Sequence, residues 1–146
     1  MTNINPYLNF DGNCEEAMNF YKSAFGGDFV GGVMRWGEMP GCEEFNLSDE
    51  AKDKVMHMAL PISDGNVIMA SDSLKGIGPA DLKVGNNVTI AVGPEDRSEA
   101  DRLFASLSDG GQVQMPMSDA FWGGYFGSFV DKFGINWLIS VDERQN

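Results

Sequence analysis

The sequence predicts an α+β chain made of two tandem βαβββ modules, and three observations carry that expectation. The first is a duplicated plan. "NFDGNCEEAMNFYKSAFGG" and "AVGPEDRSEADRLFASLSDGG" each run from an apolar strand end through a polar turn and an amphipathic helix to a Gly-Gly stop. The second is a set of short apolar segments with two-residue alternation behind each helix. The third is composition: 146 residues, 42% hydrophobic and 22% charged, describe one ordinary globular domain able to bury a sizeable core without staples.

The opening strand is expected to point Leu8 and Phe10 toward the first helix. Its repeat partners are Ile90 and Val92, so Asn5, Tyr7 and Asn9 share the other face with Asn87, Thr89 and Ala91. In the first helix Ala17, Phe20, Tyr21, Ala24 and Phe25 fall on one face. In the second, Ala100, Leu103, Phe104 and Leu107 keep the same spacing at a constant offset. Asn13 with Glu16, and Asp96 with Glu99, have the spacing of a capping box. Gly26-Gly27 and Gly110-Gly111 offer left-handed stops.

After the helices, "FVGGVMRW", "VMHMALPI" and "NVIMASD" read as strands of the first module, and "QVQMPMS", "YFGSFV" and "INWLISV" as strands of the second. Module one is expected over 3–72 and module two over 86–142, with "SLKGIGPADLKVG" (73–85) as linker. "GEMPGCEEFNLSDEAKDK" breaks the symmetry and reads as a surface loop with about one helical turn.

Charge narrows the partners. A formal net charge of −12 repels phosphate backbones and anionic lipid, so neither nucleic acid nor membrane is an expected partner. "MTNINPYLNF" has no basic stretch followed by an apolar one, and no apolar run approaches a membrane span, so a cytoplasmic protein is expected. Cys14 and Cys42 do not make a CxxC pair and are expected to be free thiols.

With two βαβββ units framed by "YLNFDGNCEEAMNFYKSAFGG" and "FWGGYFGSFVDKFGINWLISV", the chain resembles the vicinal oxygen chelate superfamily (glyoxalase/bleomycin resistance/dioxygenase), and more narrowly its PhnB-like branch. The resemblance covers essentially the whole chain. It implies an eight-stranded arrangement in which each unit curls into half of an open cup, usually within a homodimer. It does not fix the chemistry, because metal lyases, dioxygenases, antibiotic-modifying enzymes and binding proteins share the scaffold.

Metal-dependent members of the superfamily take His, Gln or Glu ligands from the first and last strands of each unit. Carried over by the repeat alignment, those positions are Asn5, Met69, Asn87 and Leu138. None supplies an imidazole or carboxylate, and neither Leu nor a thioether offsets the dehydration of a hard or borderline divalent ion. A one-residue slip would substitute Pro6 or Ile4, Ile68 or Ala70, Asn86 or Val88, and Trp137 or Ile139, which does not improve the set. No metal and no cofactor are expected.

His57, the sole histidine, is the first catalytic candidate, and PhnB-like proteins often carry a histidine near this position. A two-residue Asp64-Gly65 turn would pair it with Asp72, away from Met69. A three-residue turn would pair it with Ser71, on the Met69 side. An ordinary strand histidine, hydrogen-bonded to a carboxylate or carbonyl, is the favoured explanation. Tyr125 is the second acid-base candidate.

An organic ligand is expected to meet Tyr7, Asn9, Asn87, Thr89, Asn136 and Ser140 on the inner faces, and Trp36, Phe121, Trp122 and Tyr125 on segments that could roof the cup. Trp137 has core parity, and most methionines read as filler. "GGVMRWG" and "WGGYFG" lack the spacing of a dinucleotide or phosphate loop. Although PhnB-like sequences often carry a methyltransferase label, no unit here would hold a nucleotide-borne methyl donor. The leading reading is therefore a metal-free, homodimeric small-molecule binding protein. The alternatives are a metal-independent lyase or isomerase using His57 or Tyr125, and a metal enzyme of the glyoxalase or dioxygenase kind.

Overall fold

The computed structural model describes residues 2–74 and 82–143, so most of the expected linker lies outside the described residues. The chain divides into two compact units, residues 1–83 and 84–146. Each is a βαβββ unit with an open, mixed four-stranded sheet.

In unit one the order is β1 (Tyr7–Phe10), α1 (Cys14–Phe25), β2 (Met34–Arg35), a short helix α2 (Asp49–Lys52), β3 (Val55–Ser63) and β4 (Asn66–Asp72). The sheet runs β1-β4-β3-β2, with β1 parallel to β4 and the other pairs antiparallel. Parity along β1 puts Leu8 and Phe10 in the core and leaves Tyr7 and Asn9 exposed, as the alternation predicts. Met58, Leu60, Ile68 and Ala70 supply the same core layer, covered by Cys14, Ala17, Met18, Tyr21 and Ala24 of α1. Burying a row of such side chains contributes roughly 1.5–3 kcal/mol each, and it is this stripe that holds the helix on the sheet.

Unit two repeats the plan with β5 (Ile90–Val92), α3 (Arg97–Ser108), β6 (Gln112–Asp119), β7 (Gly124–Val130) and β8 (Asn136–Asp142), in the order β5-β8-β7-β6. Ala100, Leu103 and Leu107 of α3 cover Phe129, Trp137, Ile139 and Val141. Trp137 is fully buried.

Three local expectations need correction. The strand read over 29–36 shrinks to Met34–Arg35, because Gly31 and Gly32 take positive φ of 78° and 68° that no strand accommodates. Asn87 and Thr89 precede β5 rather than belonging to it; residues 86 and 87 form a bend, and pairing begins at Ile90. Asn13 makes no side-chain cap on α1, since its backbone (φ −115°, ψ 23°) is not the extended form that aims a cap side chain at the first turn. The loop over 37–54 carries two 3-10 turns, Trp36–Glu38 and Cys42–Phe45, besides α2.

Two buried carboxylates replace missing backbone partners. Asp72, at the end of β4, accepts from the Cys14 amide (2.9 Å) and the Val55 amide (2.9 Å), so it caps α1 from the far side of the unit. Asp131, in the turn before β8, accepts from the Phe133 and Ile135 amides (2.8 and 3.1 Å) and from Trp137 Nε1 (2.8 Å). Satisfied in this way, each carboxylate organises a buried corner that would otherwise leave donors unpaired.

Candidate functional site

The sheet face turned away from α1 gathers the first group of candidate residues. Tyr7 pairs with Met69, and Asn9 with Ser71, so all four share this face. The side on which His57 falls depends on the β3–β4 hairpin. Ser63 pairs with Asn66 across a two-residue Asp64-Gly65 turn, but an irregularity between Pro61 and Ser63 shifts the register, and from there Ala59 faces Met69 and Met58 faces Ala70. Continued one residue, that register sets His57 opposite Ser71. The turn is thus the short one, and the bulge reverses its consequence. A second bulge, between Met34 and Arg35, makes Met56 the extra residue of β3 and leaves Met34 directly opposite His57.

Contacts agree with this register. Tyr7 Oη lies 3.4 Å from His57 Nδ1, and the two rings are 5.8 Å apart between centroids. His57 is half-buried, while Tyr7 stays 45% exposed. The hydroxyl and imidazole can therefore exchange a hydrogen bond while both remain open to a molecule at the sheet surface. Trp36 lies in a 3-10 turn, where its Nε1 donates to the Asp72 carbonyl (3.2 Å). Asn5 is engaged too: its Oδ1 accepts from the Val67 amide (3.0 Å), extending the ladder beyond β1.

In unit two the corresponding face carries Asn136, Leu138 and Ser140, opposite Val130, Ser128 and Phe126. Trp122, from the β6–β7 turn, stacks against Phe126 at 5.4 Å and 30°. Phe121 meets Trp122 edge-on at 4.9 Å and is 97% exposed. Phe126 was not among the sequence-derived candidates, although its alternation with the core residue Phe129 signals its side. Asn136 is nearly buried and donates from Nδ2 to the Gly85 carbonyl (3.0 Å). Asn87 and Thr89 are exposed.

Tyr125 falls on the other face. It has the parity of Gly127 and Phe129, its hydroxyl donates to Asp101 of α3 (2.6 Å), and Arg97 lies 4.4 Å over its ring. The hydrogen bond to the Asp101 carboxylate raises the phenol above its ordinary pKa. Its proton is committed to α3, and the sheet separates it from Ser140 and Phe126. Arg97 in turn is clamped by Glu143 and Asp119, whose hydrogen bonds raise its pKa, and the guanidinium holds Glu143 below the usual carboxylate range.

The Cys14 thiol is not set up as a nucleophile. Both cysteines are free, and burial pushes the Cys14 thiol far above its usual value, with Asp72 and Glu15 adding to the shift. Among the described residues no three His, Cys, Asp or Glu side chains are placed to hold a metal ion.

Two open βαβββ sheets with this strand order give the fold seen in the glyoxalase/bleomycin resistance/dioxygenase class. Solved domains of that class match at 12 and 13% identity with TM-scores of 0.66 and 0.59, a likeness of fold. Within it, the family described as 3-demethylubiquinone-9 3-methyltransferase matches residues 2–140, and the chain belongs to this PhnB-like family. Protein PA1353 from Pseudomonas aeruginosa is 34% identical, with a TM-score of 0.81 and coverage of 99% of this chain and all of that one. A PhnB protein from Bacillus cereus is 27% identical, with a TM-score of 0.73 and coverage of 96 and 99%. Protein YjdN from Escherichia coli (strain K12) is 30% identical over 97% of both chains.

Proposed function

We propose that this chain is a small-molecule binding protein that acts as a homodimer and works without a divalent metal. One observation carries the reading: the superfamily's four metal positions hold two amides, a thioether and an alkyl group, and one of those amides, Asn5, already closes the β1–β4 edge. The sheet faces that present these positions are lined instead by uncharged hydrogen-bonding groups and exposed aromatic rings. Tyr7, Asn9 and His57 offer them on one sheet, and Trp122, Phe126 and Ser140 on the other. Such a lining suits an organic molecule held by stacking and a few directional hydrogen bonds. Asn87, Thr89 and Asn136 are secondary contacts, and Trp36 and Phe121 flank the faces.

Methyl transfer is not part of the proposal. Each sheet has a single parallel pair, β1–β4 or β5–β8, and offers no reversal of parallel strand order at which a nucleotide cofactor binds. No helix among the described residues is long and apolar enough to cross a membrane, and the net charge of −12 still disfavours nucleic acid.

Calorimetric titration of chelator-treated protein with Ni(II), Zn(II), Mn(II) and anaerobic Fe(II) tests the reading directly. Binding weaker than about 100 μM is expected for all four ions, and micromolar uptake of one ion per chain would sink it. An organic-ligand screen read by indole fluorescence then looks for a ligand whose saturable signal disappears in Trp122→Leu.

The Tyr7–His57 contact favours one second reading, a metal-independent lyase or isomerase in which His57 moves a proton. In that case His57→Gln abolishes turnover of a ligand it still binds. Tyr125 is a weaker candidate, because its proton is held by Asp101 on the α3 side.

A further inference from the structure

We propose that His57, Met34 and Met69 form a site for one soft monovalent cation, Cu(I) or Ag(I). The inference is independent of the organic-ligand reading above. Met34 is the direct cross-strand partner of His57, and Met69 is the partner of Ala59, the next residue of β3 on the same face. Tyr7, paired with Met69 on its other side, touches His57 Nδ1 and so fixes the imidazole on that face.

Directly paired side chains have Cβ atoms about 5 Å apart and diagonal ones about 7 Å. Met has three rotatable bonds and a polarizable sulfur, enough to bring both thioethers toward one nitrogen. The donor set selects the ion: thioether and imidazole suit Cu(I), whereas carboxylate and water suit hard divalent ions. Met69, whose thioether argues against a glyoxalase-type centre, therefore argues for a different kind of metal.

Access and orientation are both provided. Met34 is 42% exposed and Tyr7 45%, so an ion reaches the face without any element moving. The Tyr7 contact occupies Nδ1, which assigns Nε2 as the ligating nitrogen. With the ring proton then at Nδ1, the Tyr7 hydroxyl accepts from it and holds the ring, as partners of metal-bound imidazoles do. The rival thiol is Cys42, half-buried and 3.3 Å from the Gly37 carbonyl. Cys14 is fully buried, with its thiol held protonated.

The experiment is anaerobic Cu(I) titration against a chromophoric Cu(I) chelator, on the full chain and on Cys42→Ser, Met34→Leu, Met69→Leu and His57→Gln. Methyl-13C methionine spectra with Ag(I), a redox-inert stand-in, accompany it. The expected result is one Cu(I) per chain, unchanged in Cys42→Ser and weakened at least tenfold in each of the other three. Ag(I) is expected to shift two of the nine methionine methyls. Leu for Met nearly conserves volume, and the methyl spectra of the unaltered chain do not depend on any variant folding. Failure to compete with the chelator, loss of binding in Cys42→Ser, or indifference to Met34→Leu and Met69→Leu would each overturn the proposal.

Discussion

Units one and two share a strand order and a helix of equal length, but they secure their helices differently. α3 is capped by its own Asp96, whose side chain accepts from the Glu99 amide at 2.9 Å. α1 is capped by Asp72, brought by β4 from 58 residues away. The glycine pairs after the helices differ as well. Gly27 has φ 79° and open space, with only the Pro61 carbonyl 3.7 Å from where a Cβ would stand. At Gly111 a Cβ would stand 2.2 Å from the Val130 carbonyl oxygen. A repeated sequence pattern thus marks the same place in the fold while its second glycine serves two physical needs, backbone conformation at Gly27 and close approach at Gly111.

Gly111→Ala breaks that comparison most severely. The obstacle is backbone, which cannot give way, so the variant is expected to lose about 3 kcal/mol or more. Gly27→Ala suffers only the strain of an L residue at positive φ, about 1 kcal/mol. Urea midpoints of the two variants should stand in that order, and equal losses would show that the glycines do one job.

Next come the two buried carboxylates. Asp131→Ala and Asp72→Ala each orphan buried donors and should cost about 2–3 kcal/mol. Only the first frees the Trp137 indole, so only it should perturb the near-UV circular dichroism of that ring before global unfolding. The caps sharpen the contrast further. Asp96→Ala should lose about 1 kcal/mol and Asn13→Ala no more than a few tenths; a comparable loss at Asn13 would contradict the Asp72 cap. Smallest is the exposed clamp of Arg97 with Glu143 and Asp119: Arg97→Met should move the midpoint detectably only at low salt.

What was legible in the sequence was whatever depends on local periodicity. The helix faces of Ala17–Tyr21–Ala24 and Ala100–Leu103–Leu107, the core parity of Leu8, Phe10 and Trp137, and the polar parity of Tyr7 and Asn9 all follow from spacing. Tyr125, expected among the residues that could roof the cup, lies on the α3 side, where two-residue alternation from Phe129 puts it. The position of His57 was not legible, because an irregularity near Pro61 reverses what the Asp64-Gly65 turn alone would give. Nor was the α1 cap, since local spacing favours Asn13 and gives no sign of a carboxylate 58 residues downstream. The glycines at 31 and 32 did signal that an extended segment could not begin at Phe29.

The remote cap has a consequence for biosynthesis. While the chain is being made, α3 carries its cap within its own first turn. α1 waits for Asp72, the last residue of β4, with the amide of Cys14 unanswered until nearly all of unit one has emerged. Both units wait for their last strand, since β1 pairs with β4 and β5 with β8, but only in unit one does the helix cap wait with it. The timing of the α1 cap is thus tied to the far end of its unit, whereas that of α3 is set within its own first turn.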